Sequence, residues 1–183
     1  MNEMHLFTQL FLIMLVVSIS MRLYLSHRQI RHVERYRASV PDEFADKISL
    51  EDHQKAADYT RAKVRFSRIP LFYESILLLL WTLGGGLEWL NNSVIGLGWS
   101  PIITGIAVII SYVFISALLD LPFSVYSTFV IEERFGFNRT TLKTFVIDLL
   151  KGSMIGIVLG VPLLYVILWL MQQMGDLWWI YAW

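Results

Sequence analysis

Two adjacent carboxylates, Glu132 and Glu133, sit in the stretch Tyr126-Ser-Thr-Phe-Val-Ile-Glu-Glu-Arg-Phe-Gly-Phe-Asn138. Paired carboxylates can divide acid and base work between them. They can equally be ion-pair partners, and Arg134, Arg139 and Lys143 lie close along the chain, which favours the structural role. Glu74 stands inside an apolar run. A carboxylate there is costly and turns toward protein or water, as a transporter's coupling carboxylate would. Asp120 closes a second apolar run, and Asp148 and Lys151, three apart, can pair along a helix. Metal chemistry finds no footing. The chain has no cysteine, its histidines include no H-E-x-x-H, and His27 and His32 are five apart, whereas helical ligand pairs need a spacing of three or four. His53 is isolated by sequence from both. No catalytic residue and no metal ligand is therefore assigned within this chain.

Membrane-spanning helices must position these groups. Hydrophobic residues make up 56% of the chain and charged ones 16%, against about 45–50% and 25% in a soluble domain. A hydrocarbon core of about 30 Å needs roughly 20 apolar residues in a helix. Four stretches qualify: Met4–Leu25, Ile69–Trp89, Pro101–Leu119 and Gly152–Met171. The first lacks a basic segment ahead of it, so it reads as an uncleaved anchor. In the second, Gly84-Gly85-Gly86 either ends the helix or allows close helix contact. Asn91, Asn92, Gly96 and Gly98 make the turn before the third. Pro122 is expected to end or kink the third span and Pro162 to kink the fourth. Trp178, Trp179, Tyr181 and Trp183 form an aromatic cluster, either an interface belt or the threshold of a fifth span. The expected fold is an all-α integral membrane helical bundle, one membrane domain over 1–183, with about four spans and an amphipathic cytoplasmic helix.

The cations give an orientation. All 15 Lys and Arg fall in two segments, eleven from Arg22 to Arg68 and four from Arg134 to Lys151. Positive charge stays cytoplasmic. Segments 26–68 and 120–151 are therefore expected to be cytoplasmic loops, with both termini on the other side. A bacterial inner membrane is preferred to the endoplasmic reticulum. Zero net charge offers no field for nucleic acid.

Within the first inside segment, Ser49-Leu50-Glu51-Asp52 has the form of a capping box with Asp in the Glu position. Leu50, His53, Ala57, Thr60, Val64 and Ser67 then share one helical stripe. That helix is expected on the membrane surface or against the rest of a larger protein. In the second, Gly136 or Asn138 can take positive φ, and Thr140 or Thr141 can cap the fourth helix.

The stretch Tyr126–Asn138, continued by Thr141, Asp148 and Lys151, resembles the N-terminal membrane region of the type I CAAX prenyl endopeptidases, multi-spanning membrane zinc metalloproteases with bacterial relatives. Tyr59, Lys63 and Phe66 fit the same region, as does Gly175-Asp176 followed by Ile180-Tyr181-Ala182-Trp183. The resemblance covers Asp58 to Trp183 and, more loosely, the first anchor.

By that resemblance, zinc, its H-E-x-x-H ligands and a later glutamate would lie in a C-terminal catalytic part beyond this chain. This chain would supply part of the wall of a membrane chamber that admits a peptide substrate. It would not be catalytic alone. Its partners would be the bilayer, the peptide, and a catalytic domain in the same protein or in a separate subunit. Glu74 would be the intramembrane carboxylate of that chamber, and Asp120, Glu132, Glu133 and Asp148 would line the cytoplasmic rim or brace the catalytic part. Pro122, Tyr126, Gly136, Phe137, Asn138 and Lys151 complete the motif positions. A standalone non-enzymatic scaffold or protease regulator is the alternative. A small transporter is weaker, since transporter folds usually carry internal repeats.

Overall fold

The computed structural model describes residues 2–182, so Met1 and Trp183, the last aromatic of the C-terminal cluster, lie outside the described residues. The chain divides into two compact units, one of residues up to Leu79 with Pro122–Asn138, the other of Leu80–Leu121 with the chain from Arg139 onward. Among the described residues all regular structure is helical.

The first unit opens with α1, Asn2–Tyr36. At 1.5 Å per residue its 35 residues reach roughly 52 Å, well beyond a hydrocarbon core of about 30 Å. The expected first span ends at Leu25, yet no Gly or Pro interrupts the chain before Pro41. The helix therefore continues through its basic segment as a charged rod. Pro41 then opens a short 3-10 turn, Asp42–Phe44.

Helix α2 spans Leu50–Phe66. Ser49 caps it as expected: its hydroxyl oxygen accepts from the Asp52 N–H at 3.1 Å. Asp is one methylene shorter than Glu, and its carboxylate accepts a hydrogen bond from the Ser49 hydroxyl at 2.6 Å. Part of the face that carries the amphipathic stripe is taken up within the chain itself. Helix α2 packs on the C-terminal end of α1. His53 Nε2 meets the Tyr36 carbonyl oxygen at 2.8 Å. Arg37 grips Asp58 with two bonds, at 2.7 and 3.0 Å, and Arg61 and Arg65 each approach Glu34 to 3.7 Å. Ile30 on α1 is among the few buried apolar side chains. The segment expected as a loop is thus mostly a helical hairpin, because α1 supplies the face that α2 needs.

Helix α3, Arg68–Thr82, follows after Ser67 alone. The expected second span is not one helix. The glycine run ends α3, and α4, Gly86–Ile95, restarts at a bend of 53°. Gly85 makes the break with φ +77°, a conformation costly for any residue with a Cβ.

In the second unit, Leu90 and Val94 of α4 are buried. Asn91 and Asn92 belong to that helix, and the turn is made by Gly96 to Ser100, with Gly98 at φ +71°. Helix α5, Pro101–Tyr126, meets α6, Leu142–Met174, closely at Gly105, where an added Cβ would lie 3.0 Å from a Leu168 methyl. Trp81 and Tyr112 meet edge to face at 5.3 Å. Thr141, not Thr140, caps α6 by accepting from the Thr144 N–H at 3.2 Å. The α6 helix runs unbroken through Pro162. A short 3-10 turn at Gly175 leads into α7, Trp178–Ala182.

Three helices are long and apolar enough to cross a membrane, and four if the bent pair is one span.

Candidate functional site

The motif around Glu132 is built at the end of α5. Pro122 does not end that helix. The backbone passes through it and widens into a π-helical segment, Ser127–Glu132. Such insertions shift side chains around the helix and recur at functional positions. This one seats Ile131 in a buried position, 7% exposed, and leaves Glu132 half-buried beside it.

The helix then stops by a Schellman arrangement. The Phe137 N–H donates to the Glu132 carbonyl at 2.9 Å, and the Gly136 N–H to the Glu133 carbonyl at 2.9 Å. Gly136 carries the positive φ, +70°, and Asn138 does not. Asn138 instead donates its side-chain amide to the Glu133 carboxylate at 2.9 Å. The motif Glu-Glu-x-x-Gly-Phe-Asn therefore encodes a helix stop: two carbonyls closed by a left-handed glycine, and one carboxylate holding the residue beyond it.

The Glu132 side chain has a different task. Its Oε1 accepts from Lys63 Nζ at 3.1 Å and from the Tyr59 hydroxyl at 3.4 Å. Lys63 also donates to the Tyr59 oxygen at 2.9 Å. The three groups form a closed ring across 69 residues of sequence. The expected partners Arg134, Arg139 and Lys143 are not used. They are near in sequence, but the Schellman turn fixes the carboxylate toward α2. The Tyr59 hydroxyl, followed by the Glu132 carboxylate, raises the Lys63 ammonium above its ordinary value.

Aromatic rings surround the ring of hydrogen bonds. Tyr59 lies 4.8 Å from Phe137 and 5.8 Å from Phe135. Lys55 sits 5.6 Å over Phe137. One turn deeper, Phe66 stacks on Tyr126 at 4.9 Å, and Phe123 meets Tyr73 at 4.8 Å. Contacts of this kind add about 0.5–1.5 kcal/mol each beyond their burial.

Glu132, Glu133, Gly136, Phe137, Asn138 and Tyr126 are thus brought together, with Pro122 one turn before Tyr126. The other expected positions are elsewhere. Glu74 lines a groove of about 180 Å³ between α1 and α3, with Ser18, Arg22 and Ser75. Asp120 is exposed on α5. Asp148 and Lys151 are exposed on α6 and do not pair with each other, although their spacing allows it. The Arg37–Asp58 clamp escaped the sequence reading. Its residues lie 21 apart on opposite sides of a proline, so no helical spacing reveals it.

Among the described residues no three His, Cys, Asp or Glu side chains could hold a metal ion. His53 is bonded to the Tyr36 carbonyl and His32 packs on the Tyr36 ring at 4.8 Å. These residues do not fit a zinc site.

Residues 29–183 match the family model described as CAAX prenyl protease N-terminal, five membrane helices. The probable CAAX prenyl protease 1 of Schizosaccharomyces pombe is 35% identical over 175 residues, covering 88% of this chain and 36% of that protein. The CAAX prenyl protease 1 homolog of Arabidopsis thaliana is 31% identical, covering 87% and 39%. The crystal structure of S. mikatae Ste24p matches with a TM-score of 0.81 at 27% identity, covering 92% of this chain and 40% of that one. The chain spans little more than a third of these curated relatives. With the family model matching most of its length and the fold agreeing, this integral membrane chain belongs to the CAAX prenyl protease N-terminal family.

Proposed function

We propose that this chain is the membrane portion of a zinc endopeptidase that acts on prenylated peptides, and that its motif region braces the catalytic part rather than touching substrate. The observation that carries this reading is the state of the paired carboxylates. Glu132 is occupied by Lys63 and Tyr59, and Glu133 by Asn138. A general acid or base must present its proton-bearing oxygen to the reacting group. These two carboxylates are spent on holding a helix stop against α2, which suits a rigid mounting.

The wall role is supported by the thin core. Four apolar side chains are buried among the described residues, whereas long apolar faces of α1, α5 and α6 are exposed. Lipid and further helices would cover such faces. Zinc would be held by residues outside this chain, contributed by the same polypeptide or by a separate subunit. Asp120, Asp148 and Lys151, exposed at present, would contact that part, and Glu74 would face the chamber or its supporting helices.

The test is to purify the natural gene product through a tag on the N-terminal segment and assay cleavage of a prenylated CAAX peptide. Chelator-sensitive cleavage is expected. Recovery of the chain bound to an unrelated protein, free of zinc and inert toward the peptide, would favour the regulator reading and sink this one. Glu132→Ala separates bracing from contact. As a brace, it lowers activity and thermal midpoint together. A loss of activity at an unchanged midpoint would give Glu132 a direct part in the reaction.

The sidedness follows from the cation distribution, with the α1–α2 hairpin in the cytoplasm and both termini outside. The absence of native cysteine makes labelling clean. Ser100→Cys should react with an impermeant maleimide in intact cells, and Ser39→Cys only after permeabilisation. The reverse pattern would invert the topology.

A further inference from the structure

We propose that the groove between α1 and the α2–α3 junction binds the phosphate of an anionic membrane lipid. The groove is lined by Arg22, Ser26 and Gln29 of α1 and by Ser67, Arg68 and Leu71 across from them, and holds about 300 Å³. That is many times a water molecule's share of liquid volume, about 30 Å³. Arg22, Ser26 and Gln29 follow one another at helical spacing, so they share a single face of α1. Two guanidinium groups enter the groove and no carboxylate lines it.

The partners of these arginines are incomplete. Arg68 Nε donates to Ser26 Oγ at 3.1 Å, which leaves the rest of its fork of donors free for an anion. Arg22 makes no hydrogen bond or ion pair among the described residues. The other arginines of this hairpin that face α1 or α2 behave differently: Arg37, Arg61 and Arg65 all meet carboxylates. A guanidinium fork matches phosphate oxygens two at a time.

Depth selects a lipid over a free phosphate. Arg22 follows directly on the uncharged run that begins at Met4, and Arg68 directly precedes the run that begins at Ile69. Both therefore sit at one membrane–water boundary, where headgroup phosphates lie. The adjoining groove toward the membrane shares Arg22 and Leu71 and adds Leu15, Ile19 and Leu78. Its apolar side chains offer a path for an acyl chain. Basic pockets between membrane helices at this level are known to take anionic headgroups. Glu74 shares that adjoining groove with Arg22, without an ion pair between them, and lines no part of the groove proposed for the phosphate.

The full chain, purified in a neutral detergent, should retain phosphatidylglycerol in native mass spectrometry and should not retain phosphatidylcholine offered at equal concentration. Arg22→Gln should weaken retention about tenfold, the loss of one charge-assisted contact. Because Arg22 has no hydrogen-bond or ion-pair partner among the described residues, this change breaks no polar contact in the free protein. Arg22→Gln with Arg68→Gln should abolish retention. Arg28→Gln with Arg31→Gln removes two exposed cations of the same helix that line no part of the groove, and should leave retention unchanged. Equal retention of the two lipids, or an equal loss from the Arg28/Arg31 variant, would overturn the proposal in favour of diffuse attraction. Inorganic phosphate displacing the lipid at micromolar concentration would overturn the lipid assignment.

Discussion

The two compact units of this chain are held by different forces. In the first, helices are joined by polar and aromatic links that span long sequence separations: Arg37 to Asp58, Arg61 and Arg65 to Glu34, Lys63 and Tyr59 to Glu132, Phe66 to Tyr126. The ion pairs among the described residues all lie there. In the second, hydroxyls such as Ser93 and Ser153 bond carbonyls one turn back on their own helix, and Leu90 and Val94 are its buried apolar residues. Along α6, Gly152, Gly156 and Gly160 face open space. The contrast follows from solvent. The hairpin of the first unit is rich in charged side chains, and between such surfaces apolar burial and directed polar contacts both favour folding. The second unit is designed for lipid, where apolar faces gain nothing by meeting one another except close packing. The first is stitched by directed contacts; the second shows few of them among the described residues.

Mutations can break or sharpen that contrast. The largest effect is expected at Gly136. Alanine there must adopt φ +70° with its Cβ 3.4 Å from Lys55 Nζ, at a cost of about 1–2 kcal/mol. The thermal midpoint in detergent should fall, and Gly136→Asn should recover part of it. An unchanged midpoint would show that the helix stop does not hold the first unit together. Glu132→Ala should cost about 1 kcal/mol, since Lys63 is 49% exposed and can turn to water while Glu132 is 26% exposed. A double-mutant cycle with Lys63→Met should return a coupling that disappears in high salt only in part. Ser49→Ala should remove about 0.5–1 kcal/mol by uncapping α2.

Acid should act on the first unit before the second. The Arg37 guanidinium, through its hydrogen bonds, holds the Asp58 carboxyl below its ordinary value of 3.8. A carboxyl whose value is depressed by folding stabilises the fold above the unfolded value. That contribution is lost as pH falls through the folded one. Stability of the α1–α2 hairpin should therefore decline below about pH 4, by a small amount because the pair is solvent-facing. The smallest effect is expected in the second unit. Gly156→Ala meets no atom within 4 Å and should leave the midpoint of the isolated chain unchanged or slightly raised. A large loss there would mean that α6 already packs closely against something, and the contrast between the units would fail.

What could be read in advance was local. The Ser49 cap was read outright, while the α6 cap and the positive φ were each narrowed to two candidates, Thr140 or Thr141 and Gly136 or Asn138, between which the structure chose Thr141 and Gly136. The apolar stretches and the segregation of cations were equally plain, because burial in lipid demands composition rather than partners. The motif's Glu-Glu pair gave the family resemblance but not its own geometry. Eleven cations precede Ile69, and although the resemblance marks Lys63 among them, it does not make Lys63 the partner of Glu132.

Tertiary structure decided the rest. It laid α2 along the C-terminal end of α1, so that the two form a hairpin. It let the chain run through Pro122 and widened the backbone just beyond, so that Ile131 is buried and Glu132 faces Lys63. The physical reason is range. Caps, glycine turns and hydropathy act over one or two helical turns, so sequence determines them. Which carboxylate meets which cation depends on how helices far apart in the chain come to lie side by side, and only the folded molecule settles that.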